Sequence, residues 1–287
     1  MRVYDSAVHE DHLVTPALRY FVEMEDVDHL CNPAGRLWVL LRDLSGYSQS
    51  EAMTQSIARY FGFDANDLKR YMEAVVAIWT LPDGIHTAVA ELRNPVPPAG
   101  RLLRPLEDVV PAIRGFAYSN NALEAAMRPI HQGTLSDLEI CSYLLHEHRG
   151  AHPVPQSTLD ELQQLIDALI SALSDDTELS TDFKEAIRRH AQRIADAISL
   201  HKVHGAEGIV TEWDGLVGAM ARHSSELHKP GPVLALLKKV GAVVLTIVAA
   251  IAAPNEFVTG LEFIIDTTTT PTMIEAPAAP SDGAETS

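Results

Sequence analysis

Residues 240–253 read VGAVVLTIVAAIAA, fourteen positions in which Thr246 is the only polar side chain. No other stretch limits the fold as much. A segment apolar on every side has to leave water, either at the centre of a core or in a bilayer. A spanning helix needs about 20 apolar residues, so fourteen favour a helix buried at the centre of a helical bundle. Val240, Val243, Val244, Leu245, Ile247, Val248 and Ile251 would then be its packing side chains. Starting the segment at Pro232 brings Lys238 and Lys239 inside it, where their charges would have to snorkel. The alternative is a membrane element over 233–265, with 257–265 returning after Pro254 and with Glu256 and Glu262 opposing insertion. An oligomer interface is the third reading.

The rest of the chain reads as helix, so the expected fold class is all-α. Leu159, Leu162, Leu165, Ile166, Leu169, Ile170 and Leu173 recur at steps of three and four, which places them on one helix face. Thr158 with Glu161 fits a capping box at the start of that helix, Ser157 being the other candidate cap. A second stripe, Phe183, Ile187, Ile194 and Ile198, follows Ser180 or Thr181 as cap. The short break between the stripes predicts a helical hairpin that ends at Gly205. A third helix follows through Ile209, Trp213, Leu216, Val217 and Met220. With Gly205-Ala206-Glu207-Gly208, the stretch 157–228 resembles helical segments of bacterial and phage proteins. The resemblance implies a bacterial or prophage origin and no particular activity.

Prolines divide the chain. Pro95, Pro97, Pro98, Pro105 and Pro111 fall within 94–111, and proline removes a backbone donor and fixes φ. The expected organisation is a helical domain over 1–93, a stiff extended connector over 94–111 and a bundle over 112–266. Asp83-Gly84 is expected to end a helix within the first domain. The tail 267–287, rich in Thr, Pro and Ala, lacks the apolar mass to order itself and is expected to be disordered.

Residues 55–71 resemble a DNA-binding helix-turn-helix. Ala58 admits a second helix, Gly62 permits the turn, and Ile57, Phe61, Phe63 and Leu68 would form the shared core. The resemblance implies that Asn66, Lys69 and Arg70 face the major groove. Charge argues the other way. The chain carries −17, which repels nucleic acid and anionic membranes at long range. The run Ala74 to Trp79 that follows reads as buried.

Reactive constellations are sparse. Cys141, His146, His148 and His152 are candidate zinc ligands by residue type, in a spacing that matches no standard finger. On a helix, Cys141, Leu145 and His148 share a core-facing stripe. His201, His204 and Glu207 form a second candidate set, and His9, His12 and His29 stand among carboxylates near the start. No nucleophile elbow, P-loop, dinucleotide fingerprint or H-E-x-x-H is present. No apolar run follows Met1-Arg2, and two cysteines make no disulfide framework, so a cytoplasmic location with possible membrane association is expected. The expected function is a non-enzymatic helical interaction protein without a cofactor, binding a protein partner or itself. The alternatives are a membrane-active effector using 233–265, a helix-turn-helix regulator and a metallohydrolase.

Overall fold

Hydrophobic periodicity of three and four produces helices throughout: among the described residues there is no strand, only one antiparallel bridge between Ala52 and Ala122. The computed structural model describes residues 29–149, 153–228 and 231–251. After a 3-10 turn at His29–Cys31 come α1 (Pro33–Ser45), α2 (Met53–Phe61), α3 (Leu68–Glu91), α4 (Ala99–Leu102), α5 (Leu106–Gly115), α6 (Leu123–Met127) and α7 (Gln132–Arg149). Then follow α8 (Gln156–Asp175), α9 (Thr181–Ser199), α10 (His201–Arg222), a 3-10 turn at Ser224–His228, and α11 (Pro232–Ile251). The expectations for the 257–265 return segment and the 267–287 tail lie outside the described residues.

The helix surrounded on nearly all sides is α1. Its Ala34, Leu37, Leu40, Leu41 and Leu44 are fully buried, and it packs against α2, α3, α7 and α10. Its start is well specified. Pro33 occupies N1, where no backbone donor is missed. Asn32 Oδ1 accepts from Gly35 N at 2.9 Å, while its Nδ2 donates to Ser142 O and Oγ of α7 at 3.1 and 3.2 Å.

Two short helices are capped by each other's loops. Ala52 and Ala122 stand at the N-caps of α2 and α6, and alanine offers no side-chain acceptor. Backbone oxygens replace it. Met53 N and Thr54 N donate to Asn121 O and Ser119 O, while Leu123 N and Glu124 N donate to Glu51 O and Gln49 O. The orphan donors of both helix starts are thereby satisfied reciprocally.

Proline shapes 94–111 without making it an extended connector. α3 ends at Glu91, but α4 lies within the stretch and α5 begins in it, with Pro98 and Pro105 at N-caps, where a missing N–H costs little. Leu102, Leu106 and Val109 join the same hydrophobic cluster as Leu37, Ile78 and Leu145. The stop expected at Asp83-Gly84 does not occur: α3 continues through both, and through Pro82. Leu81, Pro82 and Ile85 are buried there, which offsets the lost backbone bond, and Gly84 lets α3 approach Pro33 of α1.

Helices α8 to α11 form a ring of four, each packed on two others. The α8 stripe is as read: Leu159, Leu162, Ile166, Leu169 and Leu173 are buried, with Leu165 and Ile170 half-buried. Its start differs. α8 begins at Gln156 after Pro155, with no side-chain cap, so Thr158 and Glu161 already lie inside the helix. Ser180 does cap α9, its Oγ accepting from Phe183 N at 3.4 Å. Gly205 breaks α10 at φ 69°, ψ −172°, and the helix resumes to bury Ile209, Trp213, Leu216 and Met220. The expectation for α11 needs correction. It is not the buried centre but one wall of the ring. Val233, Leu237, Val240, Val244 and Ile247 face in, whereas Val243, Val248 and Ile251 are half-buried and Leu245 is 38% exposed. Its outward positions include Ala235, Ala242 and Ala249, whose small side chains cost little in water.

Candidate interaction surface

The turn between α2 and α3 exists as the sequence predicts. Gly62 adopts φ 78°, ψ 28°, the left-handed conformation that ends α2, and Ile57 and Ala58 are buried beneath it. Phe61 and Phe63 stack with centroids 6.3 Å apart and are half-buried. Leu68 does not join this core; it is 60% exposed, and Tyr71 occupies the interior, donating its hydroxyl to Phe116 O. Burial pushes the Tyr71 phenol up to about 12. Asn66, Lys69 and Arg70 are exposed, and each is engaged by a nearby carboxylate. Asn66 Nδ2 donates to Asp64 Oδ1 at 3.0 Å, Lys69 Nζ lies 3.5 Å from Glu73 Oε1, and Arg70 Nε lies 3.8 Å from Asp67 Oδ2. The surface offered to a phosphate backbone is locally neutralised.

Beyond the turn, α3 departs most from its sequence reading. Ala74, Val75, Ala77 and Ile78 are buried, but Val76 is 53% and Trp79 41% exposed. With Leu68 and Met72 (45% exposed) they form an apolar stripe at steps of three and four along the outer face of α3. Trp79 is fixed from below, its Nε1 donating to Ile113 O at 2.8 Å. Exposed apolar residues scattered singly are ordinary, while a contiguous stripe marks a contact surface.

The stripe borders a groove of about 740 Å³ between α3, α9 and α10. Met72, Val76 and Ala77 of α3 line one side, Ala197 of α9 and Leu200 at its end another, and His204 and Gly208 of α10 the third. Lys69, Glu73, Arg193, Asp196 and Glu212 lie around it. Burial and the Arg36 guanidinium lower the pKa of His204, so it is neutral near pH 7.

The second apolar feature is the outward face of α11. This helix is long and apolar enough to cross a membrane, with a mean hydropathy of 2.2 over its most apolar window, one-third of which is buried.

The candidate metal ligands are spread apart. Cys141 is fully buried against the α1 core, where burial pushes its thiol up to about 12. His146 is half-buried, and His148 is exposed instead of sharing the buried side of Leu145. His152, His9 and His12 lie outside the described residues. His29 Nδ1 is 2.9 Å from Ser142 Oγ, and its ring packs on Trp38. Among the described residues, no three His, Cys, Asp or Glu side chains converge as metal ligands do, those of His201, His204 and Glu207 among them. Glu207 instead meets Arg36, Nη1 to Oε2 at 3.2 Å, beside a small cavity of about 190 Å³ that Cys31 and His201 also line.

Nothing among protein-family models, curated proteins or solved structures matches this chain. The residues alone therefore support the reading. Sequence reasoning missed the stripe because Val76 and Trp79 sit in a run of six apolar residues that reads as uniformly buried. The signal was present in the step from Leu68 to Met72 to Val76, which repeats every four residues on the side opposite the buried Ala74, Ile78 and Leu81.

Proposed function

We propose that this chain is a non-enzymatic helical interaction protein that works through protein–protein contacts on the outer face of α3. One observation carries the reading: four large apolar side chains, Leu68, Met72, Val76 and Trp79, stand in water in a single stripe beside a groove with apolar walls. Helix faces recognise partners through anchors at this spacing. The test is gel filtration of a native cell extract followed by immunodetection of the full chain. The wild type is expected well above its own 31.3 kDa, and a Met72→Glu/Val76→Glu variant is expected at the monomer position. A wild type that elutes at the monomer position overturns the reading.

A second reading rests on a different observation, the open apolar face and spanning length of α11. In it the chain is a membrane-active effector that uses 233–265. The test is flotation with neutral and anionic liposomes. Recovery of all protein at the bottom of the gradient, under every lipid composition and pH tried, rejects it.

A further inference from the structure

We propose that the occupant of the α3 groove is a second copy of this chain, docked about a two-fold axis so that the stripe of each copy lies in the groove of the other. The inference rests on the interaction reading above and names its partner.

The geometry favours self-docking. Stripe and groove belong to one continuous face, because Met72 and Val76 are members of both. An isologous contact requires one patch to be its own complement, a ridge beside a matching depression. Stripe and groove run side by side along one stretch of α3, Leu68 to Trp79 and Lys69 to Thr80, about 16 Å at 1.5 Å per residue, so an antiparallel copy presents a ridge as long as the depression. Ala77, Ala197 and Gly208 line the groove with small side chains, so the incoming Met72 and Val76 meet little steric obstruction.

Charge points the same way. The whole chain carries −17, but the groove has both signs at its edges: Lys69 and Arg193 against Glu73, Asp196 and Glu212. A partner of uniform sign would meet a like charge whichever sign it had. A second copy brings the same two basic and three acidic groups, so Lys69 and Arg193 of each copy have carboxylates of the other to oppose. The net charge still opposes approach at long range, so added salt should strengthen the dimer by screening that repulsion.

Sedimentation velocity of the purified full chain, over a wide micromolar range and at two salt concentrations, decides the matter. The expected result is a species of twice 31.3 kDa that grows with concentration and with salt. The species is lost in Met72→Glu/Val76→Glu and in the milder Met72→Ser/Val76→Ser, whose circular dichroism should match the wild type. It is retained in Leu245→Asp, on the far helix α11. A wild type that stays at 31.3 kDa throughout, or a dimer that survives both stripe variants, overturns the proposal. The two claims fail separately. A purified monomer that still elutes as a larger complex from cell extract rejects the second copy and keeps the interaction reading. A monomer in both settings rejects both.

Discussion

Replacing Gly205 with alanine should be among the most damaging single-methyl additions in the chain. Its φ of 69° with ψ of −172° belongs to a region that only glycine occupies readily, and forcing another residue there costs about 1–3 kcal/mol. The added Cβ would also land on Arg36 Nη1 and Glu207 Oε2. Arg36 is 7% exposed, but the Glu207 side chain is 43% exposed, so solvent screens much of the pair and its loss is worth roughly 1–2 kcal/mol. The sum is about 2–5 kcal/mol, or on the order of 10 °C in Tm for a chain of this size. Denaturant unfolding followed at 222 nm measures it. Gly218→Ala is the control on the same helix. Its Cβ would meet nothing nearer than Arg222 Nη1 at 3.7 Å, so it should stabilise by up to about 1 kcal/mol. If Gly205→Ala behaves like Gly218→Ala, α10 tolerates straightening and the account of the break is wrong.

Three further outcomes are expected. On α11, Val244→Asp should unfold the bundle because Val244 is fully buried, while Leu245→Asp should change stability by less than about 0.5 kcal/mol; equal effects in thermal melts would contradict the assigned rotation of this helix. Asn32→Ala removes the cap on Gly35 N and the donors to Ser142, and should cost about 2–4 kcal/mol in denaturant titration; a cost below the low end of that range would mean that α1 does not depend on this link. His204 and His190 both have pKa values lowered by burial, with Arg36 adding to His204 and Arg193 to His190. The unfolded chain then binds more protons than the folded one just below the ordinary histidine value. The stability these neutral rings contribute is complete above about pH 6.5 and falls as pH drops through the lowered values. The double variant His190→Gln/His204→Gln should flatten that decline, and an unchanged slope would refute the assignment.

Local periodicity made the ring α8–α11 legible, because its stripes at 159–173 and 183–198 repeat every three or four residues and face one shared interior. The paired loops before α2 and α6 were not legible, since Ala52 and Ala122 advertise nothing and their caps are backbone oxygens about seventy residues away. The link from Arg36 to Glu207 spans 171 positions and has no local signature. Apolar content misled twice, and for one reason. Composition reports how much a segment gains from burial but not which side is covered. The most apolar helix, α11, became a wall with alanines outward, while α1, which contains Arg36, Arg42 and Asp43, became the centre. The apolar run in α3 likewise hid two exposed anchors. The spacing of Leu68, Met72 and Val76 hinted at those anchors, and packing shows that their side of α3 is left uncovered.

The central claim is that Val76 touches another polypeptide in the working state of this chain. Site-specific photo-crosslinking in living cells tests it, with benzoylphenylalanine placed at Val76 and, as a control, at exposed Gln164 on α8. The account predicts a discrete higher-mass adduct from position 76 and none from position 164. Equal labelling at both positions, or none at 76 with the variant shown to be folded, would contradict it.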